Sequence, residues 1–329
     1  MHPPMSFVVW TNHEFRPGAR ELFYDSIARL GCRLLQSGNS SGDVLAAGAP
    51  DPLLAEADIA YGQPDPDKLI QCPRVRWAEI STAGYTRYDR EDFRTAMSSR
   101  GTVVTNSSAV FANPCAEHAL AMMLASSREL PRYILNQAGP REWNYTAGRY
   151  SIETLTGKTV VLLGFGAIGR RLAELLAPFR CRVIGVRRSP RGDEGVEMVR
   201  DAEAADVLSL ADHVVNLLPD STSTFRYCES RFFASLRRGC HFYNVGRGTT
   251  VEQTALLVAL RSGQLGGAYL DALDPEPLPP EHPLWSEPHC HITPHLAGGH
   301  REQDMSLARH FLGNLAEFMN GGQYTDRIV

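Results

Sequence analysis

Short runs of β-branched and aromatic residues recur along the chain, each followed by a polar segment holding glycine or proline, and they alternate with longer stretches whose apolar residues return every three or four positions. Continuous apolar runs suit buried strands and a 3.6-residue period suits helices, so the alternation predicts an α/β protein with parallel sheets. Residues 7–10 read as a strand and 19–30 as an amphipathic helix ended by Gly31. Residues 58–61, 75–80 and 103–105 read as further buried strands of a first small domain. Asn113-Pro114 has the chemistry of a helix start: Asn caps, Pro fits the first turn, and Glu117 lies early, where the helix dipole favours a carboxylate. Residues 119–124 are apolar enough to be buried between domains, and this helix is the expected crossing to a second one. Residues 141–150, polar and aromatic with Gly148, read as a loop or an outward arm. Further strands are expected at Val160 and at 181–186, 213–217, 240–244, 267–270 and 291–293.

The most informative of these runs is Val160-Val161-Leu162-Leu163-Gly164-Phe165-Gly166-Ala167-Ile168-Gly169. It predicts a strand, a tight turn and a helix. Gly164 allows the turn, Gly166 lets backbone N–H groups approach a pyrophosphate, and Gly169 lets the helix pack close to the strand. The residues after it, up to Leu176, keep helical spacing, and the strand at 181–186 follows, which completes the β-α-β unit the motif needs. The implied ligand is a dinucleotide.

Composition narrows this picture without redirecting it. The 329 residues, 43% hydrophobic and 21% charged, suffice for two domains, and a net charge of −4 leaves no electrostatic footprint for nucleic acid or an anionic membrane. Seven cysteines (Cys32, Cys72, Cys115, Cys181, Cys228, Cys240 and Cys290) form an odd set without paired spacing, which argues against a disulfide framework or a zinc site and for reduced thiols. The segment from Met1 to Phe7 has no basic region followed by a long apolar stretch, and no run reaches bilayer length, so a soluble, cytoplasmic protein is expected.

Which dinucleotide binds is decided at the end of the second strand of the unit. An acid there holds the ribose 2′-hydroxyl of NAD, whereas arginine accommodates a 2′-phosphate. The chain reads Val186-Arg187-Arg188-Ser189-Pro190, with no acid at that end, and two guanidiniums and a hydroxyl suit a phosphate. NADP is the expected cofactor, with NAD as the other choice; the plainer reading is a solvated basic turn.

Three clusters then supply chemistry at strand ends: Asn244-Val245-Gly246-Arg247-Gly248, Leu270-Asp271-Ala272-Leu273-Asp274-Pro275-Glu276-Pro277 and Ile292-Thr293-Pro294-His295-Leu296-Ala297-Gly298-Gly299. Reducing a ketone with a nicotinamide needs a proton donor at the oxygen, and histidine titrates in the useful range. A carboxylate holds the ring and favours the imidazolium, and an arginine holds a substrate carboxylate while polarising the neighbouring carbonyl. A fourth loop, Ser81-Thr82-Ala83-Gly84-Tyr85-Thr86, is a candidate ligand contact at a strand end, or an ordinary strand-to-helix turn.

At these residues the chain resembles the D-isomer-specific 2-hydroxyacid dehydrogenase family. The matching segments are Ala83-Gly84-Tyr85, Ala116-Glu117-His118-Ala119-Leu120, Gly157-Lys158-Thr159, the glycine loop, Asn244 to Gly248, Glu276-Pro277, His282-Pro283-Leu284-Trp285 and Thr293-Pro294-His295. The resemblance implies a doubly wound Rossmann domain over 113–297 and a smaller flavodoxin-like α/β substrate domain over 1–112 and 298–329. It implies His295 as acid/base, Glu276 as its partner and Arg247 as substrate anchor, with Ala83, Gly84 and Tyr85 offering donors to the substrate carboxylate. The cofactor would lie against Gly164, Gly166, Ala167, Ile168 and Gly169, then Arg187, Arg188 and Ser189. Leu218, Pro219, Val245, His295 and Gly298 complete its surroundings, and Asp271 would contact the nicotinamide carboxamide. The substrate would be a small 2-keto or 2-hydroxy acid, and the protein a homodimer.

Departures from the family pattern refine the expectation. Arg187, where the family often has an acid, resembles the NADP-using glyoxylate and hydroxypyruvate reductases; Leu218-Pro219 replaces a His-x-Pro segment; and Glu276 disfavours the formate-oxidising branch, which carries an amide there. An NAD-dependent, phosphoglycerate-like dehydrogenase is the alternative enzyme, and a dinucleotide-sensing corepressor-like protein is the alternative outside enzymes. His118 reads as a packed or capped helix residue. Strand alternation sends Cys290 away from His289 and His291, so no metal is expected. Trp143 reads either as an aromatic covering an active site or as local packing.

Overall fold

In the computed structural model, which describes residues 7–41 and 48–329, the ten expected strand runs are joined by two more, making twelve strands in two all-parallel sheets among the described residues. The chain divides into two compact units, one reaching Phe111 and resuming at His300–Val329, the other Ala112–Gly299.

The first unit carries β1 (Val8–His13), β2 (Arg33–Ser41), β3 (Ile59–Gly62), β4 (Trp77–Ile80) and β5 (Val103–Thr105), in the order β2-β1-β3-β4-β5 of a flavodoxin-like sheet. β1 runs three residues beyond its apolar part, and Thr11, Asn12 and His13 are buried too. Burial of these polar groups is tolerated where hydrogen bonds replace water, as when the Asn12 amide binds Gln63. The helix Ala19–Arg29 buries Ala19, Phe23 and Ile27, four residues apart, as its amphipathic pattern predicts. The helix Gln303–Asn320 buries Leu307, Phe311 and Leu315 on the same sheet, with Phe311 stacked on Trp77. Glu79 on β4 is wholly buried and is satisfied by His310, Asn314 and Thr105 at 2.7–3.2 Å.

The second unit holds β6 (Thr159–Leu163), β7 (Arg182–Arg187), β8 (Glu197–Arg200), β9 (His213–Asn216), β10 (Cys240–Asn244), β11 (Leu265–Leu270) and β12 (Cys290–Ile292). Their order, β12-β11-β10-β9-β6-β7-β8, is that of a doubly wound Rossmann sheet. Val161, Leu163, Val214, Phe242 and Leu256 lie in one core cluster against it.

Two expectations are corrected. The long helix is Ser108–Ser127, so it begins five residues before Asn113 and carries Pro114 inside it and Glu117 beyond its first turn. Its start is capped elsewhere: Ala109 N–H donates to Asp326 at 2.6 Å and Ser108 N–H to Asn106 at 3.2 Å. The Asn113 side chain instead bonds Glu117 and Arg171. The segment 141–150 is not simply a loop, because it runs into the helix Tyr145–Ser151, after the helix Leu130–Ala138. Among the described residues no helix is long and apolar enough to cross a membrane.

Candidate active site

The order of the seven-stranded sheet reverses between β6 and β9, the place where doubly wound sheets hold their ligands. Gly164, just after β6, has φ of +88°, and a Cβ there would stand 3.1 Å from the carbonyl oxygen of Leu217. A Cβ on Gly169 would stand 3.0 Å from the Gly164 carbonyl, so the helix Ala167–Leu176 sits as close to the strand as its backbone allows. Above Gly166 a Cβ would meet no protein atom within 4 Å. The N–H groups of Ala167 and Ile168 open that helix beside this free space, and the arrangement fits a pyrophosphate.

At the end of β7, Arg188 and Ser189 are exposed, as a phosphate contact requires. The expectation that no acid stands at this strand end is corrected. Glu194 folds back, its side chain wholly buried, and pairs with Arg187 at 3.2 Å. Six residues of turn separate the two, so neither strand period nor spacing exposes the pairing.

The ends of β9, β10 and β11 are tied by two buried amides. Asn216 donates to Asn244 Oδ1 at 2.9 Å and to Thr250 at 2.7 Å, and accepts from the Leu218 N–H at 3.2 Å; Asn244 donates to the Ala272 carbonyl at 2.8 Å. These residues set the path of the 216–219 and 244–250 segments. Pro219 is exposed and Val245 buried. Asn216 lies inside an expected strand, and asparagines ending two neighbouring strand runs are the one signal that could have singled the pair out. Arg247, partly exposed, turns a guanidinium N–H onto the Gly246 carbonyl at 2.8 Å. A Cβ on Gly248 would lie 1.9 Å from the carbonyl carbon and oxygen of Leu273, so the arginine loop and the Glu276 loop are packed backbone against backbone.

His295 Nδ1 lies 2.8 Å from Glu276 Oε2. A carboxylate only accepts, so Nδ1 carries the proton and Nε2 is left for chemistry. Burial pushes the Glu276 carboxyl up, but the hydrogen bond from His295, the Leu273 N–H at 2.9 Å and the positive charge of Arg247 outweigh it and hold the group below its usual value. Arg247, Glu276 and His295, from three separate loops, are therefore neighbours. His295 itself has φ of +53°, an uncommon backbone for a histidine. Asp271 holds that backbone. Its buried carboxylate accepts from Thr293 Oγ1 at 2.6 Å and from the N–H groups of Leu296 and Ala297 at 2.8 Å, while its carbonyl accepts from His295 N–H at 2.9 Å. The carboxylate thus fixes the segment leading into Gly298. His118 packs beside it, 3.3 Å from Thr293 Oγ1. Cys115 is buried and its thiol pushed up to about 12, first by burial and then by Asp271, so it is inert. Cys290 lies in the core, whereas His289 and His291 face a hollow beside His213 and His241.

In the first unit, carbonyls at and beside the loop from Ser81 to Tyr85 are engaged: Ile80 by Ser107 Oγ, Thr82 by Ser107 N–H, Ala83 by Asn106 Nδ2, Gly84 by Thr82 Oγ1 and Tyr85 by the Tyr88 N–H. Gln63 donates to the hydroxyls of Ser81 and Thr82.

Fold and carboxyl-edge loops together define a dinucleotide-binding α/β protein of the oxidoreductase kind. The chain belongs to the D-isomer specific 2-hydroxyacid dehydrogenase family: residues 120–297 match the model of its NAD binding domain. It is 29% identical to a glyoxylate reductase of Aeropyrum pernix over 275 residues, 81% of each chain. It is 36% identical to a glyoxylate reductase/hydroxypyruvate reductase of Mus musculus over 208 residues, 60% of this chain and 61% of that one. Several such matches span less than two thirds of the relative's length. The crystal structure of an NADPH-dependent glyoxylate/hydroxypyruvate reductase from Sinorhizobium meliloti, in complex with NADP and sulfate, superposes with a TM-score of 0.75 at 26% identity, covering 98% of both chains.

Proposed function

We propose that this protein reduces a small 2-keto acid of the glyoxylate or hydroxypyruvate type to the D-2-hydroxy acid, with NADPH as cofactor. The observation that carries the reading is the His295–Glu276 hydrogen bond of 2.8 Å beside the Arg247 loop. Bound at the glycine loop, NADPH supplies the hydride. Arg247 holds the substrate carboxylate and draws electron density from the keto oxygen. His295, as the imidazolium, gives its Nε2 proton to that oxygen as it gains charge, and Glu276 steadies the imidazolium beforehand and keeps the other proton on Nδ1 afterwards. For the first unit by itself, the proposed role of Ala83, Gly84 and Tyr85 is to offer backbone donors to an anionic substrate. NADP rather than NAD is supported by the exposed Arg188 and Ser189 after β7 and by the NADPH-dependent relative.

The same reading includes a homodimer. The segment holding the helices Leu130–Ala138 and Tyr145–Ser151 exposes Ile134, Leu135, Trp143 and Tyr150, with Trp143 93% accessible. Large apolar side chains exposed together on one segment suit an association site, and a second copy is the occupant assigned here. Seven free cysteines, six of them buried, support a reducing cytoplasm. The test is NADPH oxidation with glyoxylate and hydroxypyruvate, beside NADH, together with the mass in solution. Keto-acid-dependent NADPH oxidation by a dimer supports the reading; cofactor binding without turnover of any 2-keto acid contradicts it.

A further inference from the structure

The turn that follows β7 is built around one acid that the proposed chemistry does not use. Glu194 Oε1 accepts the Arg191 N–H at 2.7 Å and Arg187 Nη1 at 3.2 Å, and Oε2 accepts the Gly192 N–H at 2.8 Å. Its side chain has no accessible surface. A carboxylate that reads a ribose 2′-hydroxyl has to present a free oxygen to the ligand, and Glu194 presents none. The N–H of Arg191, first, then that of Gly192 and the charge of Arg187, hold the carboxyl below its usual value, so it stays ionised as the anchor of the turn.

The cations around it are sorted by this contact. Arg187, its side chain 24% accessible, is pinned to Glu194. Arg200 stands opposite Arg187 in the β7–β8 pairing. Among the described residues, neither Arg188, Arg191 nor Arg200 is in an ion pair, and Arg188 and Ser189 are exposed. The turn therefore presents Arg188 and Arg191 outward beside the exposed Asp193, while Glu194 is spent inside.

We propose that Glu194 is a positioning residue for NADP selectivity: by pinning Arg187 and the Arg191 and Gly192 amides it preforms the turn from which Arg188 and Ser189 receive the 2′-phosphate. Glu194 itself touches no ligand. It lowers the cost of ordering a flexible basic turn at the moment of binding. The inference rests on the NADPH reading above, and its test separates the two.

Binding of 2′,5′-ADP and of 5′-AMP is measured by titration calorimetry on the full-length protein, wild type against Glu194→Gln, Arg187→Met and Arg188→Ala, with KM for NADPH and NADH alongside. The expected result is 2′,5′-ADP weakened about tenfold or more in each variant, with 5′-AMP and NADH within about twofold of wild type. Arg187→Met covers the case in which Glu194→Gln fails to fold, since it removes the partner and leaves the acid. If Glu194→Gln weakens 5′-AMP and NADH instead, the acid is a ribose ligand and the inference is overturned. If wild type prefers 2′,5′-ADP and both Glu194→Gln and Arg187→Met keep that preference, the inference fails alone. If wild type binds 2′,5′-ADP no tighter than 5′-AMP, the NADPH reading fails first and the inference with it.

Discussion

Glu276 Oε2 sits 2.8 Å from Nδ1 of His295, and the same carboxylate accepts the N–H of Leu273 through its other oxygen. One acid thus fixes the ring and its own loop at once. Because the carboxyl is held below its usual value of 4.5, its contribution is present above about that pH and is lost as pH falls through the lowered value. Glu276→Gln removes a charge-assisted hydrogen bond, and kcat for reduction should fall roughly 10- to 100-fold with the Kd for NADPH unchanged. Unaltered kcat in steady-state assays would remove Glu276 from the mechanism.

Arg247 is expected to act on the keto acid and not on the cofactor. Arg247→Lys keeps the charge but loses the paired geometry, and should still lower kcat/KM on the order of 10²-fold. The check is a comparison of kcat/KM for glyoxylate with KM for NADPH: the first should collapse and the second stay put.

Gly248 allows the arginine loop to touch the backbone at Leu273, where a Cβ would come within 1.9 Å of the carbonyl. Backbone cannot swing aside as a side chain does, so Gly248→Ala has to part the two loops. The expected cost is about 1–3 kcal/mol of stability and a loss of kcat/KM out of proportion to it, read from thermal unfolding and kinetics on the same preparation. Wild-type kinetics in that variant would show that the two loops need not touch.

His310 gives a pH prediction for the first unit. Burial lowers its pKa, but its hydrogen bonds to Asp326 and Glu79 and their negative charges raise it to about 9 from 6.5. It bridges buried Glu79 at 3.0 Å and Asp326 at 3.2 Å; the neutral Asn314 and Thr105 complete the contacts to Glu79. A raised value means that the stabilisation is complete below about 6.5 and disappears as pH rises through about 9. Thermal unfolding should show Tm falling over that window in wild type, and His310→Gln should start lower and stay flat across it. Parallel slopes in both proteins would assign the effect to other groups.

The parts legible in the chain are those whose cause is local. β6, the glycine turn and the helix behind it are written in ten consecutive residues, and Arg247, Glu276 and His295 each follow a strand run, so their meeting at one edge follows from the parallel sheet. What escaped depends on distant partners. Ser108 begins a helix because Asp326 caps it from 217 residues away through Ala109, which no local signal at Asn113-Pro114 reveals. β2 and β8 lie at sheet edges, where half-exposed polar residues blur the strand pattern. Glu194 escaped because a turn, not a period, returns it to Arg187.

His295→Ala, assayed for NADPH oxidation with glyoxylate alongside the Kd for NADPH, probes proton donation to the keto oxygen more directly than any other change. Turnover should drop about 10²- to 10⁴-fold while NADPH binds as before. Turnover at the wild-type rate would contradict it.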